Sequence, residues 1–247
     1  MRALELAGHQ AATDVKLVSR DRFLVGMPLF VLGLAVLLRF ALPAVTELLR
    51  ESHGFDLEPY WILIASSAAL GTAAPLIGMI IGFILLESRE NHTLKALMVS
   101  PVSLKHYLLY HSSIPIFLGA VFTALFAVIV GVGLPSAAAL IAISLVGSVL
   151  GGIATLFIAT FADNKVQAFA IMKAFSGAGL IPLAAYFIRE PWQFLAGVYP
   201  PYWTFKAYWV AANGGGGWWI YLSIGAVTSL ATLWAMMWRF ESIAYRG

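Results

Sequence analysis

The side chains able to move protons or hold metals are sparse: five histidines, at positions 9, 53, 92, 106 and 111, twelve carboxylates and no cysteine. The histidines form no His-Glu-x-x-His or similar spacing, so no metal centre is expected. Without cysteine there is no thiolate nucleophile, disulfide or thiolate-ligated cluster. Nucleotide chemistry is equally unsupported. A Walker A loop cradles phosphates with glycines followed by Lys-Ser/Thr, and the glycine run at 214–217 has no lysine behind it.

Two charges, Arg39 and Lys173, fall inside long apolar stretches. Ionisable groups there are costly and count as functional candidates. Each lies close enough to one end of its stretch to snorkel to the interface, which is the expectation for both. The mid-span regions contain no Asp, Glu or His, which speaks against proton-coupled antiport.

The most informative polar stretch is Glu87 to Tyr107, reading ESRENHTLKALMVSPVSLKHY. Leu94, Leu97 and Met98 share one helical face, and Glu90 precedes Thr93 by three residues, where it can help order the first turn. Pro101 should stop that helix near Ser100, and Ser103 can cap the next one. A short amphipathic helix held between two membrane crossings is suited to pressing on a soluble partner. The alternative is a merely interfacial helix. His106 and His111, just beyond, are expected at the interface.

The elements that must position these residues follow from composition. Of 247 residues, 61% are apolar and 11% charged, against roughly 25% charged in a soluble domain. Apolar runs of about 20 residues, enough to span a hydrocarbon core, recur near Phe23–Glu47, Pro59–Leu86, Leu108–Gly133, Ala137–Phe161, Val166–Ile188 and Trp218–Phe240. The chain is therefore expected to be an all-α integral membrane protein with six transmembrane helices, forming one domain over 1–247. Placing the N-terminus inside puts Arg2, Lys16, Arg20, Arg22, Arg89, Lys95, Lys105, Lys165, Arg239 and Arg246 on the cytoplasmic side and only Arg50, Arg189 and Lys206 outside. The positive-inside rule then makes both termini cytoplasmic.

Residues 1–22 lack the apolar stretch of a secretory signal, so no cleavage is expected. Leu4, Ala7, Ala11, Val15 and Val18 instead give an N-terminal interfacial helix. Segment 189–217 carries Trp192, Tyr199, Tyr202, Trp203, Tyr208 and Trp209, amphipathic rings that favour the headgroup level and mark the outer side, interrupted by Pro191, Pro200 and Pro201. It reads as an outer re-entrant helical hairpin, tolerated if protein covers its backbone groups; an aromatic loop flat on the membrane is the alternative. Gly147, Gly151, Thr155 and Ala159, flanked by Ser144, Ser148 and Gly152, form a small-residue stripe that reads as a helix-packing seam.

At Glu90, Thr93, Leu94, Leu97, Ser100, Pro101, Val102, Tyr107 and Leu108 the chain resembles the ABC-2 family of ABC exporter permeases, with His92 where that family usually has glycine. The resemblance covers the whole chain, including Pro200 before the last span. LLRFALP at 37–43 and ATFADNKVQAF at 159–169 look like its small drug-export subunits of the fluoroquinolone type. The resemblance implies an exporter of hydrophobic or amphipathic, drug-like or lipid-like molecules in the cell membrane, itself without catalytic residues. It implies two permease chains, identical or different, on two cytoplasmic ATPase subunits that hold the ATP and Mg, with membrane lipids and no nucleic acid as further partners. The coupling segment 87–107 would act through Glu90, Thr93, Leu94, Leu97, Met98, Ser100 and Pro101. Met79, Phe83, Phe169, Met172 and Phe175 would line the pathway. A secondary transporter or channel without an ATPase, and a membrane enzyme acting on lipid, are the other classes; the latter lacks a clustered acid, base and nucleophile.

Overall fold

The computed structural model describes residues 22–90 and 104–244, and every regular element among them is helical. The helix expected over 1–22, and the heart of the coupling segment, lie outside the described residues. Six helical stretches are long and apolar enough to cross a membrane: Val25–His53, Glu58–Arg89, His106–Val130, Ala137–Phe161, Lys165–Tyr186 and Trp218–Ile243. Each overlaps one expected span.

The first crossing is a single helix, α1 (Arg22–His53). It outruns its expected end at Glu47 because charges gather favourably at its last turn. Arg50 pairs with Glu47 at 3.6 Å, Asp56 at 3.1 Å and Glu58 at 3.8 Å, and cations complement a helix C-terminus. Gly54, at φ 64°, then turns the chain. The Asp56 carboxyl is held below its ordinary range chiefly by the Glu58 backbone amide, with Arg50 adding to the effect.

The second crossing joins α2 (Trp61–Ala68) to α3 (Ala74–Glu90) through one π-helical turn, Ala69–Ala73. α4 (Leu104–Val130) is the third. The fourth is α5 (Ala137–Gly147) and α6 (Val149–Phe161), separated at Ser148. The fifth divides into α7 (Lys165–Ala178) and α8 (Leu180–Tyr186), as expected when Pro182 has no N–H to return to Ala178. Between fifth and sixth lie a 3-10 segment, Trp192–Val198, and α9 (Tyr202–Ala212). α10 (Trp218–Ala244) is the sixth.

Within the chain, 83% of an 18-residue apolar stretch of the second crossing is buried, against 22% for the first and the fifth. The second crossing is thus the axis of the bundle. α1 and α10 turn large apolar side chains outward, such as Leu37, Phe40, Trp234 and Trp238, as a lipid-facing surface requires.

The small-residue stripe is the seam on which the bundle closes. A Cβ on Gly78 of α3 would sit 2.1 Å from the Gly151 carbonyl oxygen of α6, so the two backbones touch only because both residues lack one. Thr155 donates its hydroxyl across the same seam to the Gly78 carbonyl at 2.8 Å.

The aromatic segment before the last crossing divides its rings between core and surface. Tyr202, Tyr208 and Trp209 are buried, and Trp209 Nε1 donates to Ser66 Oγ of α2 at 2.9 Å, whereas Trp192 and Trp219 remain exposed. α9 is therefore covered by protein, against α2, α5 and α10, so the aromatic cluster is in part a core and not wholly an interfacial belt. Lys206 of α9 binds the Glu190 carboxylate and Gln193 Oε1, and Gln193 Nε2 donates to the Ala185 carbonyl at 2.9 Å. These bonds tie the 3-10 segment to α8 and α9. Burial pushes the Tyr199 and Tyr208 hydroxyls up to about 12 and Tyr202 higher still.

Two expectations change. Arg39 does more than reach an interface: its guanidinium donates to the Ile129 carbonyl at 2.8 Å, capping the last turn of α4, where carbonyls lack helical partners. His111, expected at the interface, is buried within the chain, with Nδ1 3.0 Å from the Tyr107 carbonyl and its ring in contact with those of Tyr107 and Tyr110.

Candidate functional site

A cavity of about 690 Å³ opens between the first, second and fifth crossings. Gly26, Met27 and Phe30 of α1 form one wall and Leu76 and Met79 of α3 the back. The third wall is Phe169, Met172, Lys173 and Ser176 of α7. Those four recur at i, i+3, i+4 and i+7, one face of a helix. Asn164 starts that helix by accepting from the Gln167 amide at 2.9 Å, which fixes the register in which the face is presented.

Three of the five pathway candidates, Met79, Phe169 and Met172, meet in this cavity. Phe83 stands behind it, buried, with its ring 5.2 Å from that of Phe169. Phe175 points elsewhere, its ring 6.0 Å from Phe157. Residue type and span alone gave no warning of that; the helical period would have, since Phe175 lies about 200° around α7 from Lys173.

Of the coupling candidates, Glu90 closes α3 in the backbone, while Thr93, Leu94, Leu97, Met98, Ser100 and Pro101 lie outside the described residues. The residues just before that segment are described. Arg89, at the end of α3, donates to Asp163 Oδ1 at 2.8 Å and to the Ala159 carbonyl of α6 at 2.9 Å. Lys165, at the start of α7, lies 3.6 Å from Glu87. The second crossing is thereby clasped to the junction between the fourth and fifth.

The clasp was missed in the sequence although it left a signal there. Glu87-x-Arg89 and Asp163-x-Lys165 both read acid, any residue, base. Two such runs meeting antiparallel pair the first residue of each with the last of the other, which is the pairing found. The cavity and the clasp share α3 and α7. Among the described residues no group of three or more His, Asp or Glu side chains could hold a metal ion.

This arrangement of six crossings, an apolar cavity and a clasp suits passage of a molecule better than chemistry on one. Comparison with known proteins points the same way. The family model for fluoroquinolones export permease protein Rv2686c-like matches residues 14–237. Two curated relatives, the fluoroquinolones export permease proteins of Mycobacterium tuberculosis strains CDC 1551 / Oshkosh and ATCC 25618 / H37Rv, are each 33% identical over 255 aligned positions, covering 98% of this chain and 99% of the relative. No solved structure matches. The six membrane-crossing helices and the match along nearly the whole chain lead to one assignment: this protein belongs to the Rv2686c-like family of fluoroquinolones export permeases.

Proposed function

We propose that the chain is the membrane-spanning permease subunit of an ATP-binding-cassette exporter of the ABC-2 type, forming a single domain over residues 1–247. It moves a hydrophobic or amphipathic molecule, drug-like or lipid-like, out of the cytoplasm, and a planar amphipathic drug of the fluoroquinolone class is the first candidate. The observation that carries the reading is the end-to-end match to export permeases. ATP drive rests on the resemblance at Glu90 to Leu108. ATP and Mg bind on separate cytoplasmic ATPase subunits, and the permease has no catalytic residues of its own. A second permease chain, identical or not, completes the pathway.

In this reading both termini and the Arg89 end of the bundle are cytoplasmic, which agrees with the clustering of Arg89, Lys165 and Arg239 at that end. The segment 189–217 lies at the outer side as a re-entrant hairpin. The helix from Glu90 to Pro101 sits in a groove of the ATPase. When the ATPase pair closes, that helix moves α3, and the Arg89–Asp163 and Glu87–Lys165 pairs pass the movement to α7 and the cavity wall. Drug accumulation tests the export half. Cells expressing the chain with its ATPase should retain less fluoroquinolone than cells expressing either alone, and equal retention in all three would remove the reading.

A further inference from the structure

Lys173 is a cation on an apolar wall. It follows Lys165, the first residue of the fifth crossing, by two turns of helix, about 12 Å of axial rise. None of the residues lining the cavity is acidic, and no ion pair or hydrogen bond to Lys173 occurs among the described residues. Lys173 is exposed in the single chain, and at this depth in a bilayer its ammonium is costly unless it reaches the interface or a counter-charge meets it. The neighbours on its face, Phe169, Met172 and Ser176, supply an aromatic ring, an adaptable thioether and one hydroxyl. The cavity, at about 690 Å³, falls in the range of roughly 300–1,000 Å³ that holds small-molecule ligands.

We propose that this cavity takes a small amphiphile bearing an anionic group. The Lys173 ammonium holds the carboxylate, sulfonate or phosphate, and the apolar body lies on Phe169, Met172 and Met79. The inference rests on the export reading above and names its substrate class. The same chemistry is offered by a transported amphiphile and by the headgroup of an anionic phospholipid, and binding measurements separate the two.

The full chain, in phosphatidylcholine nanodiscs, is titrated with anilinonaphthalene sulfonate and with phenylnaphthylamine, fluorescent probes that share an apolar body and differ by the sulfonate. Subtracting protein-free discs of the same lipid removes partition into the bilayer. The sulfonate should bind saturably and weaken about tenfold or more in Lys173→Gln, as expected when a charge-assisted hydrogen bond is lost from an apolar site. Lys173→Arg should retain it, and phenylnaphthylamine should be unchanged in all three. The Arg variant guards against misfolding as the cause.

Adding phosphatidylglycerol to the discs separates the sources. Competition with the sulfonate, together with phospholipid retained on the unmodified chain but not on Lys173→Gln by native mass spectrometry, assigns the anion to lipid. Undisturbed sulfonate binding assigns it to a soluble amphiphile. Either supports the proposal. Equal binding of the sulfonate by the unmodified chain and Lys173→Gln would overturn it. So would failure of the unmodified chain to bind either probe, joined to a dimer that Lys173→Gln dissociates, since the groove would then be a subunit interface. These readings are independent of efflux: charge-independent binding beside intact efflux defeats only this proposal, and charge-dependent binding beside absent efflux defeats only the export reading.

Discussion

The guanidinium of Arg89 reaches from the end of the second crossing to the carboxylate of Asp163, 2.8 Å away, just before the fifth crossing begins. Asp163 is 73% exposed, so the pair itself is worth only about 0.2–1 kcal/mol of stability. Its role in the proposed mechanism is mechanical. Asp163→Arg, which breaks the pair but leaves the Arg89 bond to the Ala159 carbonyl, should therefore lower drug efflux several-fold with little change in thermal unfolding, and adding Arg89→Glu should restore most of the efflux. Efflux assays beside unfolding in detergent check this; single and double variants with equal efflux would remove the clasp from the mechanism.

The Gly78–Gly151 seam should tolerate nothing larger. Gly78→Ala forces a methyl into the Gly151 carbonyl and should cost about 1–3 kcal/mol, the usual penalty of overpacking. Gly33→Ala, with nothing within 4 Å of the added carbon, is the control and should leave the unfolding temperature unchanged or slightly raised, since alanine is the better helix former. Thr155→Val, which removes the bond to the Gly78 carbonyl, should cost about 0.6–1.7 kcal/mol.

In α9, two neighbouring aromatic residues should behave oppositely. Trp209→Phe breaks the bond to Ser66 and should destabilise by about 1–3 kcal/mol, since a buried hydroxyl loses its donor. Tyr208 has a buried hydroxyl with no hydrogen-bond partner among the described residues. Tyr208→Phe should be neutral or stabilising, again by thermal unfolding.

Leu94→Asp and Leu97→Asp should release the ATPase while leaving the chain inserted, because each places a charge in an apolar groove. Co-purification of the ATPase with tagged permease reads this directly. Undiminished co-purification with both variants would take the coupling role away from this helix.

The six crossings were legible because length and hydropathy determine them: a helix of about 20 apolar residues has one stable place. The seam was legible too, since Gly147, Gly151 and Thr155 repeat every fourth residue. What escaped was whatever depends on two distant elements meeting. Arg39 looked like a snorkelling side chain because its acceptor, the Ile129 carbonyl, belongs to another helix. His111 looked interfacial by its position near a span's start, yet packing against Tyr107 and Tyr110 buries it within the chain. Tyr202, Tyr208 and Trp209 looked like a membrane belt because ring composition does not say whether lipid or protein covers a ring. The candidate pathway set mixed two faces of α7 for the same reason: Phe169 and Phe175 are chemically alike, and only the helical period separates the cavity wall from the packing against Phe157.

In the proposed mechanism, ATP on a partner drives movement through this chain. Its most direct test is transport in proteoliposomes holding the permease alone, or the permease with its ATPase, with ATP, a non-hydrolysable analogue or an ion gradient as the only energy source. Fluoroquinolone movement only with both proteins and hydrolysable ATP is the predicted result; movement by the permease alone down an ion gradient would contradict the account.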